Sequence, residues 1–375
     1  MSFLGLQAPR KDAGKSVPLS YDRLGYAKNP FPGRGVVDGS IYQERPEARE
    51  LGQALHRFLT SPDVKGGLWM VEADAGIGKS NFLSNIHHEI TAAGLTGVAS
   101  HYLQSQPVST RQLIEHMVQL LGQDALKDLL GRGKDIPSLP EHVLGTELSR
   151  FMDSIRLHLQ GQRAEEDTGF LLRWLSGAQT TVAERARYNI WSRDKLVPAV
   201  ALPYLHILFE LLRGTGLRSK LILLLDEFED VFTLSRAVQN EYITVLKGLF
   251  NLFNGDGLFI VLSGQPQAVV SIGARAPSLA ARWQKVVLEP LSLSEDAVRL
   301  AHAYMKAAHQ QHQRSQPGQP PEKRPDQLSP TVDEIRSEFV TLGEKSPTGR
   351  VLQRDLLAAL HDRINRKLTS PPTER

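Results

Sequence analysis

The sequence contains no cysteine. That excludes disulfides, thiol nucleophiles and Cys-ligated zinc, leaves the 12 histidines as the only soft metal ligands, and fits a reducing cytoplasm. Long apolar runs are also missing. The longest aliphatic stretches, Leu221 to Leu225 and Leu258 to Leu262, are strand length, far short of the roughly 20 residues a spanning helix needs. The first twenty residues hold no apolar core beside a small-residue cleavage site, so neither export nor membrane insertion is expected. No charge of one sign dominates: Lys+Arg 44 against Asp+Glu 41 leaves a formal +3. The basic excess lies at the ends, with six basic and two acidic side chains in residues 1–34, a distribution compatible with nucleic acid without requiring it.

What is present is 375 residues with 41% apolar content, enough for two or three ordinary domains with buried cores. Residues 1–40 read as a basic arm, polar and punctuated by Asn29-Pro30-Phe31-Pro32, that packs on a domain rather than forming a core. Residues 41–290 read as an α/β core. Leu51, Leu55, Phe58 and Leu59 recur at helical spacing between Pro46 and Leu59, an apolar run starts at Leu68, Phe82, Leu83, Ile86 and Ile90 form a second helical face ended by Gly94, and Gly97 to Leu103 supplies a strand. About 115 residues then separate this βαβ unit from the next strong strand, where a single crossover helix would suffice. Residues 104–215 are therefore expected to be a helical subdomain, with helices at Arg111 to Leu121, Pro140 to Leu159, Gly169 to Leu175 and Ala199 to Leu212, and a polar connector from Arg185 to Lys195. The sheet resumes at Lys220 to Asp226. A helix from Gln239 to Phe253 and strands at Leu258 to Leu262 and Val286 to Leu288 complete it. Residues 291–375 read as a small helical lid: a helix to about Gln311, a polar linker at 313–330, and helices at Thr331 to Leu342 and Gly349 to Lys367.

The strand from Leu68 runs into Ala73-Asp74-Ala75-Gly76-Ile77-Gly78-Lys79-Ser80 and then into a helix, the setting that the phosphate-binding motif G-x-x-x-x-G-K-[ST] demands. Only its first Gly departs, being Ala73, at a strand end where a small side chain suffices. The expected nucleotide-binding set is Asp74, Ala75, Gly76, Ile77, Gly78, Lys79, Ser80 and Asn81. Lys79 supplies a cation for the β- and γ-phosphates, Ser80 a hydroxyl for Mg²⁺, and the helix its positive end.

Leu221 to Leu225 followed by Asp226-Glu227 is a buried-strand run ending in two acids, a Walker B pattern. Asp226 is expected to hold Mg²⁺ through its water shell, and Glu227 to orient and deprotonate the attacking water, which separates a hydrolase from a nucleotide binder. Leu262-Ser263-Gly264-Gln265 follows the Asp-Glu strand, whereas the similar signature of transporter ATPases precedes it, so Ser263 is read as a polar sensor of the γ-phosphate or the water, with Gln265 the alternative. Arg282, before the last strand, is the candidate to reach a neighbouring subunit's nucleotide, with Arg275 the runner-up. Arg350 and Arg354 share one helix face in the lid, and one of them is expected to sense nucleotide. Tyr42 and Arg45 precede the first helix, where they line the adenine or cap the helix. His87 and His88 lie on the helix after the phosphate loop, and His309 and His312 have i, i+3 spacing without a carboxylate partner; all four read as core or solvated histidines.

This order of P-loop, Asp-Glu strand, polar strand end, Arg before the fifth strand and Arg in a helical lid resembles the AAA+ ATPases, in particular their initiator and transposition-regulator branch, over residues 40–365. A narrower likeness lies in Gly169-Phe170-Leu171-Leu172-Arg173-Trp174-Leu175-Ser176-Gly177, the helix from Ala199 to Leu212, Gly214, Gly216 and Leu221 to Glu227, with Gly349-Arg350-Val351-Leu352-Gln353-Arg354 near the end. These segments are similar to the ATP-binding proteins of bacteriophage-exclusion (BREX) defence systems. The resemblance implies a P-loop, AAA+-like parallel sheet flanked by helices, ATP and Mg²⁺ as ligands, a homo-oligomer, and DNA and protein partners of a defence or mobile-element system. The expected activity is Mg²⁺-dependent ATP hydrolysis; the alternative is an ATP-gated scaffold with negligible turnover. The Glu after the Walker B Asp disfavours a small-molecule kinase, and the absence of Asn-Lys-x-Asp disfavours a GTPase.

Overall fold

The computed structural model of the protein describes residues 21–24, 26–32, 41–43, 45–103, 109–159, 162–191, 196–253, 257–315 and 330–369. The chain divides into two compact units, one of Val37–Pro290 and one of Met1–Val36 with Leu291–Arg375.

The larger unit is built on a parallel sheet of β1 (Leu68–Glu72), β2 (Val98–Leu103), β3 (Lys220–Leu225), β4 (Leu258–Gly264) and β5 (Trp283–Val287) in the order β2-β3-β4-β1-β5. Its helices are α1 (Arg49–Thr60), α2 (Lys79–Ala93), α3 (Thr110–Leu121), α4 (Gln123–Gly131), α5 (Glu147–Ser154), α6 (Ala164–Leu175), α7 (Val182–Arg187), α8 (Pro198–Gly214), α9 (Arg236–Phe253), α10 (Pro266–Arg275) and α11 (Pro277–Ala280). Every residue of β3 and β4 is buried, as unbroken aliphatic runs require in strands covered on both faces. In β2, the sheet edge, only Leu103 is. Lys220 opens β3 yet is only 8% exposed. Its ammonium donates to the carbonyls of Phe58 and, at 2.7 Å, Ser61, satisfying groups at the end of α1 that the helix cannot.

The helices between β2 and β3 do not stand apart as the expected subdomain. Leu113, Met117, Leu126, Phe151, Phe170, Leu205 and Phe209 share one continuous core with Leu221, Leu223, Leu258 and Ile260 of the sheet, because α3 packs on β2 and β3 while α8 packs on α9. Two boundaries also differ from the periodicity. The single helix expected over 140–159 is broken: a 3₁₀ turn at Glu141–Val143 ends before Gly145, whose φ is 83°, and Thr146 starts α5 by accepting from the Ser149 N–H at 3.2 Å. A φ of 88° at Gly122 likewise ends α3 and opens α4, which hydrophobic spacing alone does not separate. The connector from Arg185 includes the end of α7, started by a Thr181–Glu184 capping box, while 192–195 lies outside the described residues.

The smaller unit contains α12 (Ser294–Ser315), α13 (Val332–Lys345) and α14 (Gln353–Thr369), with Leu291 and Val351 paired as an antiparallel bridge. Of the expected arm, residues 21–24 and 26–32 are described. Tyr26 and Phe31 are buried in the unit's core rather than laid on a surface. The Asn29 amide donates to His361 O at 3.1 Å and Asn365 Oδ1 at 3.0 Å, and His361 Nδ1 donates to Phe31 O at 2.8 Å. Residues 316–329 of the polar linker, and 33–40 of the arm, lie outside the described residues, whereas α12 extends past Gln311 to Ser315.

Candidate active site

The strand register brings the polar residues to one edge. Glu72 ends β1 beside Gly264 of β4 and Val287 of β5, and Leu225 ends the paired part of β3 beside Leu262. The phosphate loop, Asp226 and Ser263 therefore emerge together at the carboxyl edge of the sheet, where open parallel sheets bind ligands.

Ala73 is buried, and its N–H donates to Gly264 O at 3.1 Å, so the missing first glycine is absorbed into the strand end. Gly76 and Gly78 have φ of 86° and 107°. A Cβ would strain both positions, and they turn the chain so that Lys79 is the first residue of α2. The start of α2 has no side-chain cap and no acid in its first turn, which leaves its free N–H groups and positive dipole end available to an anion. Lys79, 7% exposed, curls back over the loop; its Nζ donates to Ala73 O at 2.7 Å and Asp74 O at 3.4 Å. Asp74 and Ala75 are exposed, and Ile77 is buried.

Asp226 is fully buried. Its Oδ1 accepts from the Ser263 hydroxyl and, at 2.9 Å, from the Glu227 N–H; its Oδ2 accepts from Tyr102 OH at 3.2 Å. Tyr102 OH also lies 3.3 Å from Ser80 O. One phenol thus sits between the first turn of α2 and the carboxylate after β3. Burial and the Asp226 charge hold that phenol far above its ordinary pKa, so it stays protonated and can donate. Tyr102 is absent from the sequence-derived set because nothing local marks it; its place follows from the pairing of Tyr102 with Leu224 across β2 and β3.

Glu227 has φ 55°, one of two non-glycine residues with positive φ among the described residues. This backbone is uncommon and costs of order 1 kcal/mol, and it leads from the strand end into the 3₁₀ turn Phe228–Thr233. Burial raises its carboxyl pKa above the ordinary glutamate range, and the charges of Asp226, Asp230 and Glu229 add to this against the opposing pull of Lys79. The chemistry available is a carboxylate more ready than usual to take a proton, beside a buried carboxylate fixed by three donors.

The remaining expected residues divide by where the structure puts them. Ser263 is fully buried, and its hydroxyl donates to Asp226. Gln265 is exposed at the start of α10, with its backbone N–H donating to Glu229 at 3.2 Å. Arg45 neither caps the helix with its side chain nor stands open: it donates to Ile77 O at 2.9 Å and Glu289 O at 2.6 Å, tying the loop to the segment after β5. Tyr42 packs on Phe82 with ring centroids 5.4 Å apart. Asn81 turns to the chain ahead of α1, donating to Ile41 O at 2.8 Å. Arg282 directly precedes Trp283, which opens β5 opposite Leu68, at the end of the strands away from the phosphate loop. A five-residue strand spans about 17 Å, so Arg282 stands at the far end of the strand from the phosphate loop; its guanidinium donates to Asn251. Arg275 donates to Gln239 and stacks over Phe232 at 5.1 Å. Arg350 and Arg354 belong to the smaller unit but do not share a helix face as expected: the helix starts at Gln353, so Arg350 lies ahead of it, exposed, while Arg354 is on it, 3.4 Å from Asp355. His87 meets Ser100 at 2.8 Å and His101 meets His116 at 3.0 Å.

Among the described residues no cluster of three or more His, Cys, Asp or Glu forms a metal cage. Tyr102 OH lies between the Ser80 carbonyl and the Asp226 carboxylate; the Ser80 hydroxyl and that carboxylate are hard oxygen donors of the kind Mg²⁺ takes when phosphates and waters complete its shell.

Residues 132–288 match the family model of the BREX system ATP-binding protein BrxC/D. The chain is similar to the BREX ATP-binding proteins. The matched span holds Asp226, Glu227, Ser263 and Arg282 but begins after the phosphate loop, so that loop stands on its own sequence and geometry. No curated protein matches the chain. Among solved structures, the Aeropyrum pernix ORC2 protein in ADPNP-ADP complexes aligns at 14% identity and TM-score 0.41, covering 91% of this chain and 71% of that one. Cdc6p from Pyrobaculum aerophilum aligns at 12% and 0.42, covering 88% and 66%. No described helix is long and apolar enough to cross a membrane.

Proposed function

We propose that the chain is a Mg²⁺-dependent ATPase that hydrolyses ATP where copies of the chain meet, and that it uses the cycle in a DNA-linked process of phage defence or mobile-element control. The observation that carries this reading is the position of Glu227, held in left-handed backbone directly after buried Asp226 at the carboxyl edge of the sheet. A nucleotide binder without turnover has no use for a strained base at that position.

In this reading Lys79 exchanges the carbonyls of Ala73 and Asp74 for phosphate oxygens, while N–H groups of the loop and α2 face the same anion. Ser80 and Asp226 would hold Mg²⁺, which supplies charge neutralisation across the phosphates when bound. Glu227 accepts the proton of the attacking water as its oxygen bonds to the γ-phosphorus and the bond to the bridging oxygen breaks, releasing ADP and phosphate. Ser263 and Tyr102 are positioning residues that fix Asp226. Arg282 would act on a neighbouring copy's nucleotide, consistent with its distance from its own loop, and one of Arg350 and Arg354 would respond to nucleotide in the smaller unit. The DNA and protein partners rest on the BREX likeness and on the basic surplus near the ends.

Glu227→Gln tests the base. Hydrolysis should fall by about 10² to 10⁴ while ATP binding persists, read by steady-state phosphate release and by fluorescent-nucleotide titration. Equal turnover in the variant would remove the role. A parent that binds ATP but releases no phosphate at any protein concentration, with or without duplex DNA, would select the ATP-gated scaffold instead.

A further inference from the structure

A groove of about 1020 Å³ runs between α1 and α2, with Tyr42 and Arg45 at the end nearer the phosphate loop. Its lining extends from Ala48 to Thr60 on one side and from Phe82 to Ala93 on the other. It therefore follows the whole of α1, about 18 Å at 1.5 Å per residue, a length suited to a chain segment rather than to a compact small molecule. The floor is apolar: Leu55, Phe82, Ile86 and Ile90 are each buried. The walls are charged unevenly, with Arg45, Arg49, His56 and Arg57 on the α1 side and Glu89 the one acid among the described lining residues.

Gly52 adds an independent observation. It lies inside α1, where glycine is among the poorest helix formers, and a Cβ built there would meet nothing within 4 Å. Among the described residues no contact explains the choice of glycine. Its effect is to leave the middle of the groove open, so that another backbone can come close to α1.

We infer that this groove receives an amphipathic helix of a partner protein, its apolar face on Leu55, Ile86 and Ile90 and its carboxylates facing His56 and Arg57. This is helix-in-groove recognition, with the charge on the walls choosing an acidic partner and setting its orientation. The site is joined to the nucleotide site at one end. Arg45, which lines the groove, donates to Ile77 O in the phosphate loop, and α2 begins at Lys79, so a helix seated here bears on the two elements that hold phosphate. The inference rests on the nucleotide site at the start of α2 for that coupling, but not on hydrolysis.

The test uses the full chain and a fluorescein-labelled helical peptide of about 16 residues, enough to span the groove, with leucines at i, i+3 and i+7 flanked by glutamates. A control peptide carries lysine for each glutamate. Anisotropy should show saturable binding of the glutamate peptide that weakens with added salt, and no comparable binding of the lysine peptide. Gly52→Leu, which fills open space without lowering the melting temperature, should weaken binding about tenfold or more while leaving ATP affinity unchanged. Arg57→Glu should weaken the glutamate peptide alone. Absence of saturable binding, equal binding of both peptides, or full binding to Gly52→Leu would each overturn the inference. So would a loss of ATP affinity in Gly52→Leu, which would make the groove part of the nucleotide site, or a loss of self-association on sedimentation, which would make a second copy the occupant. None of these outcomes depends on the turnover of Glu227→Gln, so the two readings fail separately.

Discussion

The carboxyl edge of the sheet and the helices between β2 and β3 use opposite materials. At the edge the decisive groups are polar and each has a named partner: Lys79 on two loop carbonyls, Asp226 on Ser263, Tyr102 and a backbone N–H. Among α3 to α8 the fold is held by apolar and aromatic packing, Phe170 stacking on Phe151 and Tyr188 with centroids 5.9 and 4.3 Å away. Paired polar groups bury at little net gain in stability but fix geometry, whereas apolar side chains supply the stability without specifying chemistry. The first region should thus fail in function before it fails in folding, and the second the reverse.

The largest expected effects test that division directly. Phe170→Ala should destabilise the fold by about 3–5 kcal/mol, lowering the denaturation midpoint, while the protein that remains folded binds ATP as the parent does. Lys79→Ala should abolish detectable nucleotide binding while shifting stability by no more than about 1 kcal/mol. Chemical denaturation and nucleotide titration on both variants would break the comparison if Phe170→Ala lost ATP affinity at native conditions, or if Lys79→Ala failed to fold.

How far each region can be read from sequence follows from the same contrast. Ala73 to Ser80 and Asp226-Glu227 are legible because the loop needs local backbone freedom and a small set of side chains at fixed spacing. The left-handed φ of Gly76 and Gly78 is the physical content of that pattern. Periodicity finds α2, α8 and α9, since each buries one long stripe. It joins what Gly145 and Thr146 separate near residue 146, and misses α4, because a single left-handed glycine changes chain direction without disturbing the apolar count. Ser263 is legible as a polar strand end but not as a partner of Asp226, and Tyr102 not at all, because both depend on which strands become neighbours.

A smaller effect sharpens the account of the edge itself. Tyr102→Phe keeps the ring and removes the one hydroxyl lying between Ser80 O and Asp226. Loss of one such bond costs about 0.5–1.5 kcal/mol. If the phenol positions Asp226, the Mg²⁺ concentration needed for half-maximal turnover should rise and kcat should fall, with KM for ATP little changed. A merely structural tyrosine would lower stability and leave the Mg²⁺ requirement alone. Titrating Mg²⁺ against ATP turnover, together with Mg²⁺-dependent quenching of a bound fluorescent nucleotide, separates the two.

The smallest effect concerns the seam where the two regions meet. His101 on β2 and His116 on α3 share a hydrogen bond of 3.0 Å, with Gln119 Oε1 3.3 Å from His116 Nδ1 and Glu115 adding a favourable charge. Burial, reinforced by His116 and His87, pulls the His101 pKa down to about 4. The folded chain thus resists a proton that the unfolded chain accepts near pH 6.5. The sign follows: stability from this residue is intact above about pH 6.5 and declines as the pH falls towards 4, because only the unfolded state gains the proton over that interval. With the ring partly open to solvent, the loss should be of order 1 kcal/mol. His101→Gln should flatten the acid side of the stability profile between pH 6.5 and 4. Urea midpoints measured across that range would detect it, and an unchanged slope in the variant would show that the seam carries no proton-linked stability.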